Sequence, residues 1–166
     1  MQQPFSAFRP GRARPRMRSL GLIAFATLLL VPFSASAAQA AARSMKITVN
    51  NKSHGATLQR TEIGLWHGIW ANNGGQVPPE NIAPQTSAVF GAESNGFATG
   101  VEGYAKYNVK LHGTKIGWVQ IYFSNPFVGG NSVKCYSTSP DILCAPANPT
   151  PSGNNAVDSI DFGVFA

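Results

Sequence analysis

The chain predicts an all-β fold, a single antiparallel β-sandwich reached after an N-terminal signal peptide is removed. Three observations carry that expectation. Apolar and polar residues alternate with a period of two over several segments, clusters of Gly, Asn and Pro interrupt them at short intervals, and beyond residue 40 no segment keeps apolar residues at helical spacing for three turns. Seven or more short strands in about 125 residues suit a sandwich. Low charge, at 12%, with 17 Gly and 12 Pro, argues against a coiled coil and against a charged disordered chain.

The first 40 residues stand apart. Arg9, Arg12, Arg14, Arg16 and Arg18 precede an uncharged run from Leu20 to Val31, which is too short for a transmembrane helix and is ended by Pro32. Ala35-Ser36-Ala37 and Ala38-Gln39-Ala40 supply the small side chains that a signal peptidase requires, so cleavage is expected after Ala37 or Ala40. Residues 1–40 are thus read as a signal peptide and 41–166 as one secreted domain, without an internal repeat or a dividing linker. The formal charge of +6 belongs largely to the leader. Without its five arginines the chain has eight bases against seven acids, near +1, with no run of three bases, so a nucleic-acid partner is not expected.

In chain order, Met45, Ile47 and Val49 alternate with Lys46 and Thr48 in a first strand, which stops at Asn50-Asn51-Lys52-Ser53-His54-Gly55. A second strand is expected through Ala56 to Leu65, where Thr57, Thr61 and Ile63 are β-branched, and a third segment from Trp66 to Trp70. In that segment Trp66 and Trp70 are expected to share a face, with Gly68 between them. Pro78, Pro79 and Pro84 predict a loop over 72–86, because proline cannot donate to a ladder. Ser87 to Glu93 is extended again, and Ser94-Asn95-Gly96 turns.

The longest alternation runs from Gly100 to Leu111. Val101, Gly103, Ala105, Tyr107, Val109 and Leu111 fall on one face, and Glu102, Tyr104, Lys106, Asn108 and Lys110 on the other. His112 to Lys115 connects it to a strand from Ile116 to Ser124, where Val119, Ile121 and Phe123 oppose Trp118, Gln120 and Tyr122. Asn125-Pro126 ends that strand, and Ser132 to Ser137 forms another. Residues 138–154, with four Pro and Gly153, are expected to be irregular, and Asp158, Ile160, Phe162 and Val164 place a final strand. Cys135 and Cys144 are the two cysteines, and in an exported chain they favour a disulfide closing a small loop. His54, His67 and His112 have no further ligand at metal spacing, so no cofactor or metal is expected.

Common catalytic frames are missing: no Gly-x-Ser-x-Gly, no phosphate-binding loop and no His-Glu-x-x-His. A glycosidase would need a carboxylate pair such as Glu93 and Glu102, but acidic residues on a sandwich are ordinarily solvated or bonded to backbone. The expectation is therefore a protein that is not an enzyme. Aromatics beside turns are the stronger signal: Trp66, Trp70, Tyr104, Trp118, Tyr122 and Phe127. Rings with a polar handle suit a membrane interface or a sugar face, although any one of them could equally fill the core.

Several segments together resemble the aegerolysin family. They are Met45-Lys46-Ile47-Thr48-Val49-Asn50-Asn51, His67-Gly68-Ile69-Trp70, Ile82-Ala83-Pro84, Glu93 to Gly103 with its Thr99-Gly100-Val101-Glu102-Gly103, and Ser124-Asn125-Pro126-Phe127-Val128-Gly129-Gly130-Asn131. The resemblance covers about residues 45–166. It implies a β-sandwich without a catalytic site that binds membrane lipids, often sphingolipid- or sterol-dependent, in some members as a haemolysin acting with a larger perforin-like pore-forming partner. Trp70, Glu102, Asn125, Pro126 and Phe127 are the positions the resemblance carries over, and Asn125 and Pro126 could instead merely shape a turn. Phe123-Ser124 stands where many relatives have Trp-Asp, so lipid preference does not transfer. Unlike the related actinoporin-like cytolysins, the chain enters its first strand almost at once after the leader, which leaves no amphipathic helix for insertion. The candidate lipid-binding residues are thus Trp66, Trp70, Glu102, Tyr104, Trp118, Tyr122 and Phe127, and the alternative is a lectin-like carbohydrate-binding sandwich.

Overall fold

A computed structural model describes residues 43–70 and 76–165; the expected leader and both cleavage positions lie outside the described residues. Among the described residues there are ten strands and no helix: β1 Ser44–Asn51, β2 Ala56–His67, β3 Ile69–Trp70, β4 Asn81–Ile82, β5 Thr86–Glu93, β6 Val101–Leu111, β7 Thr114–Asn125, β8 Ser132–Ser137, β9 Ile142–Pro146 and β10 Asn155–Val164. They form two five-stranded sheets, in the orders β3-β5-β1-β10-β9 and β4-β2-β6-β7-β8. Neighbours are antiparallel except β1 and β10, which run parallel with Ile47 beside Asp158 and Val49 beside Ile160. This is the expected all-β sandwich.

The core lies between the sheets and follows the alternation. Met45, Ile47 and Val49 from β1 meet Ala105, Tyr107 and Val109 from β6 and Val119, Ile121 and Phe123 from β7, all essentially inaccessible. Because side chains alternate across a pleated strand, the same parity sends Glu102, Tyr104 and Lys106 to the outer face of the second sheet. The β6–β7 hairpin turns through His112 and Gly113, at φ 49° and 87°. Left-handed geometry at both positions marks the tight two-residue connection whose twist matches the strands, shorter than the four-residue link expected.

Two segments expected to be irregular contain strands. Within 72–86, Asn81 and Ile82 pair with Gln59 and Leu58, burying Ile82. Within 138–154, Ile142–Pro146 pairs with β10, Cys144 opposite Phe162. Both β4 and β9 are edge strands, where one side needs no donor and proline at or near an end is tolerated. Cys135 and Cys144 form the expected disulfide, with Cα atoms 5.5 Å apart. It joins β8, an edge of the second sheet, to β9, an edge of the first, and so staples the sandwich along one side. Such a bond persists in an oxidising compartment.

A third difference matters for function. The segment from Trp66 to Trp70 is not one strand: β2 ends at His67, while Ile69 and Trp70 pair with Glu93 and Ala92 in the opposite sheet. Gly68 makes the crossing at φ 96°, and a Cβ there would stand 2.5 Å from the Glu93 carbonyl oxygen. Only glycine fits that corner without strain.

Two buried asparagines tie the ends of the sandwich. Asn51 Nδ2 donates to the carbonyls of Ala56, Ile82 and Ala83, while its Oδ1 accepts from the Ser53 amide and hydroxyl. At the other end Asn125 Nδ2 donates to the carbonyls of Ser44 and Asn154 at 2.8 and 2.9 Å. Asn125 is therefore a buried tether between sheets.

Candidate functional site

The outer face of the second sheet brings several aromatics together. Register puts Gly64, Tyr104, Tyr122 and Lys134 in one row across β2, β6, β7 and β8. Trp66 joins them through a β-bulge: Leu65 opposes Gly103 and His67 opposes Glu102, so Trp66 is an extra residue in β2. A bulge re-aims side chains, and here Leu65 packs against the core while Trp66 turns outward. The Trp66 ring lies 5.1 Å from Tyr104 and 6.2 Å from Tyr122, centroid to centroid. Gly64 leaves space for the Tyr104 ring, since a Cβ there would come within 2.7 Å of it.

Carboxylates orient both phenols. The Tyr104 hydroxyl donates to Glu62 Oε1, and the Tyr122 hydroxyl donates to Glu102 Oε1 at 2.7 Å. The bond to Glu62 raises the Tyr104 pKa, and burial followed by the Glu102 bond raises that of Tyr122. Both therefore stay protonated donors at neutral pH. Lys134 lies 6.0 Å from the centre of the Tyr122 ring, and Lys106 sits 4.7 Å from that of Trp118.

Glu102 also lines a cleft of about 360 Å³ at the end of the sheet, with His67, Thr99, Ser124, Pro126 and Phe127. His67, Glu102 and Ser124 are successive cross-strand neighbours on β2, β6 and β7. Arg43 braces the rim: its Nη2 donates to the Phe127 carbonyl at 2.8 Å, its guanidinium lies 5.7 Å from the Phe127 ring centre, and its own carbonyl accepts from the Ser94 amide. The β2–β3 corner, the β5–β6 loop and the β7–β8 loop thus meet at one end. Apolar side chains there face solvent: Phe97 is 86% exposed, Val128 84% and Trp66 57%, with Phe127 and Ile69 also exposed.

Of the seven candidate lipid-binding residues, Trp66, Tyr104, Tyr122 and Glu102 are contiguous, and Phe127 is across the cleft from Glu102. Trp118 is on the same sheet face, opposite Asn108, with Lys106 over its ring. Trp70 is elsewhere. Its ring is 6.2 Å from Phe123 and packs against the core, so the expectation that it shares a face with Trp66 is corrected; the crossing at Gly68 reverses the parity. Glu93 and Glu102 belong to different sheets. Phe97 and Val128 were not among the candidates. Their signal is an apolar residue inside a turn, after Asn95-Gly96 and before Gly129-Gly130, where alternation offers it no core-facing partner.

No known-family model matches the chain. An uncharacterized protein of Dictyostelium discoideum is 32% identical over 90 residues, a match that takes in 54% of this chain and spans 8% of that protein's length. Among solved structures, the RahU protein, determined in complex with a TRIS molecule, superposes with a TM-score of 0.58 at 16% identity, covering 76% of this chain and 98% of its own. IP-1A from Alcaligenes faecalis gives 0.56 at 17% identity, covering 76% of this chain and 94% of its own. Both are aegerolysin-type β-sandwiches, which fits the resemblance seen in the sequence; at these identities the likeness is one of fold.

Proposed function

We propose that this chain is a secreted, non-enzymatic membrane-lipid-binding protein of aegerolysin type. The observation that carries the reading is the set of exposed apolar side chains on the segments that border the cleft holding Glu102: Phe127 in its lining, and Phe97, Val128 and Trp66 each next in the chain to a lining residue. Rings and a branched aliphatic at loop tips enter the interfacial layer of a bilayer, where an aromatic body and a polar edge are both satisfied. Beside them, the Glu102 carboxylate, the Ser124 and Thr99 hydroxyls and the His67 imidazole supply polar groups for a lipid headgroup. With the leader gone and the charge near +1, attachment rests on insertion and headgroup fit more than on salt.

No helix among the described residues is long and apolar enough to cross a membrane. In this reading the chain supplies recognition of a sphingolipid- or sterol-containing membrane, and a perforin-like partner supplies the pore of a two-part lysin. Vesicle sedimentation tests the first step. Residues 41–166 should sediment with vesicles containing sphingolipid and sterol, in a manner little changed by raised salt, and Phe97→Ala with Val128→Ala should weaken that binding at least tenfold. Failure to bind any such vesicle defeats the proposal. The partner is tested separately, by haemolysis with and without a perforin-like protein.

A further inference from the structure

A second feature adjoins the loop tips, on the outer face of the second sheet. Trp66 is an exposed aromatic platform set against the half-buried Tyr104, the two rings tilted 38° to one another, with Tyr122 beside them. Glu62 and Glu102 flank the platform and each accepts a tyrosine hydroxyl through one oxygen, Oε1. Among the described residues neither Oε2 atom has a hydrogen-bond partner and neither is fully buried, which leaves both as free acceptors beside an aromatic surface. Lys106 and Lys134 stand over the rings of Trp118 and Tyr122 on the same face. Around the platform itself two carboxylates and two ammonium groups balance, with Lys110 farther along the same face of β6, so the immediate surround has no net charge with which to select an ion.

We propose that this platform is a binding site for a neutral saccharide, adjoining the loop-tip surface and sharing Trp66 and Glu102 with it. A pyranose presents an apolar C–H face and equatorial hydroxyls around its edge. The C–H face stacks on the exposed Trp66 ring, and hydroxyls donate to Glu62 Oε2 and Glu102 Oε2. Stacking on a ring and donation to a carboxylate are both stronger when the protein groups are already oriented, and here each carboxylate is fixed by a tyrosine. A charged ligand of either sign would meet a like charge on this face, which favours a neutral sugar. The sugar could be free in solution or displayed on a glycolipid; the recognition chemistry is the same.

The test uses residues 41–166 in two arms. Neutral oligosaccharides built from galactose, glucose or N-acetylglucosamine are titrated free in solution and followed by tryptophan fluorescence. Neutral glycolipids bearing the same sugars are presented in phosphatidylcholine vesicles, with plain phosphatidylcholine vesicles as the control. Saturable binding in the first arm, weakened at least tenfold by Trp66→Ala and by Glu62→Gln but retained by Phe97→Ala, supports a soluble saccharide. Binding confined to the glycolipid arm, with the same response to Trp66→Ala and Glu62→Gln, supports a membrane-borne one. No binding in either arm overturns the proposal, as does binding indifferent to both substitutions. Glu62→Gln keeps the size of the side chain, so a folded variant is expected, and unchanged thermal unfolding verifies it. Loss of binding to sphingolipid- and sterol-containing vesicles in Phe97→Ala, with sugar binding intact, separates failure of one reading from failure of the other.

Discussion

Trp66 and Trp70, four residues apart, face in opposite directions: Trp66 packs against Tyr104 outside the second sheet, its ring tilted 38°, and Trp70 packs toward Phe123 at the core. The two should therefore respond differently to truncation. Trp70→Ala is expected to lower stability by about 3 kcal/mol, as loss of a large ring packed on a core does. Trp66→Ala should lower it by no more than about 1 kcal/mol, the scale of one aromatic contact. Urea unfolding followed by circular dichroism compares them, and equal losses would contradict this placement.

Gly68 is what separates the two indoles. At φ 96°, with the Glu93 carbonyl 2.5 Å from where a Cβ would sit, alanine brings both backbone strain and a clash with main chain. Gly68→Ala should destabilise by about 2 kcal/mol or more, beyond the left-handed penalty alone. Its signature is a lower melting temperature together with weaker lipid binding, because the corner also positions His67 and Trp66.

Tyr107 buries its ring completely, and its hydroxyl has no hydrogen-bond partner. A buried hydroxyl without a partner is stabilising to remove when the ring shape is kept, so Tyr107→Phe should gain about 1 kcal/mol. Burial also raises the phenol pKa well above its ordinary value of 10.0. The folded state then holds that proton more tightly than the unfolded one, so the contribution is fully present below about pH 10 and is lost as pH climbs beyond it. The phenylalanine variant should lack that part of the alkaline loss in unfolding measured from pH 8 to 11.

Asp161 behaves in the opposite sense. Its bond to Lys52 at 2.6 Å, with a second from Asn50, lowers its pKa. Stability from this group is present above the ordinary carboxylate range and falls as pH drops through the lowered value. Both side chains of the pair are well exposed, so screening limits the effect to about 0.5 kcal/mol. Asp161→Asn should flatten the stability profile slightly between pH 5 and 2, and 1 M salt should do much the same.

The Cys135–Cys144 bridge links strands at the edges of opposite sheets. Replacing both with Ser should cost about 2–3 kcal/mol, typical of a short closed loop. The same fall in melting temperature should follow from adding reductant to the wild type and should be absent when reductant is added to the double variant.

Much of this architecture was legible because strand parity is a local property. Val101, Ala105 and Tyr107 alternate with Glu102, Tyr104 and Lys106, and the buried and outward faces of β6 follow directly. Likewise Val119 and Ile121 fix the direction of Trp118 and Tyr122 on β7. Where local chemistry dominates, as in the proline-bearing segments, the reading misses short edge strands. β9 exists because β10 offers it a ladder, a contribution from a distant segment that overrides the prolines around it.

The candidate site was legible only in part. Tyr104 and Tyr122 could be assigned to one face, but their contact with Trp66 depends on a bulge that inserts one extra residue into β2. Phe97 and Val128 were passed over because they sit in separate loops, 31 residues apart, and neither belongs to an alternating pattern.

By itself, then, the sequence determined the all-β fold of the described residues, a disulfide pair and the outward parity of the central aromatics. Period-two alternation, turn residues and charge are properties of neighbours in the chain, so they can be read without a fold. Tertiary structure alone decided that Gly68 sends Trp70 to the other sheet, that the bulge turns Trp66 outward, and that Phe127 lines one cleft with Glu102 while Phe97 and Val128 stand exposed on the loops that border it. Those outcomes depend on which strands pair and in what register, and pairing is settled by burial shared between segments far apart in the chain.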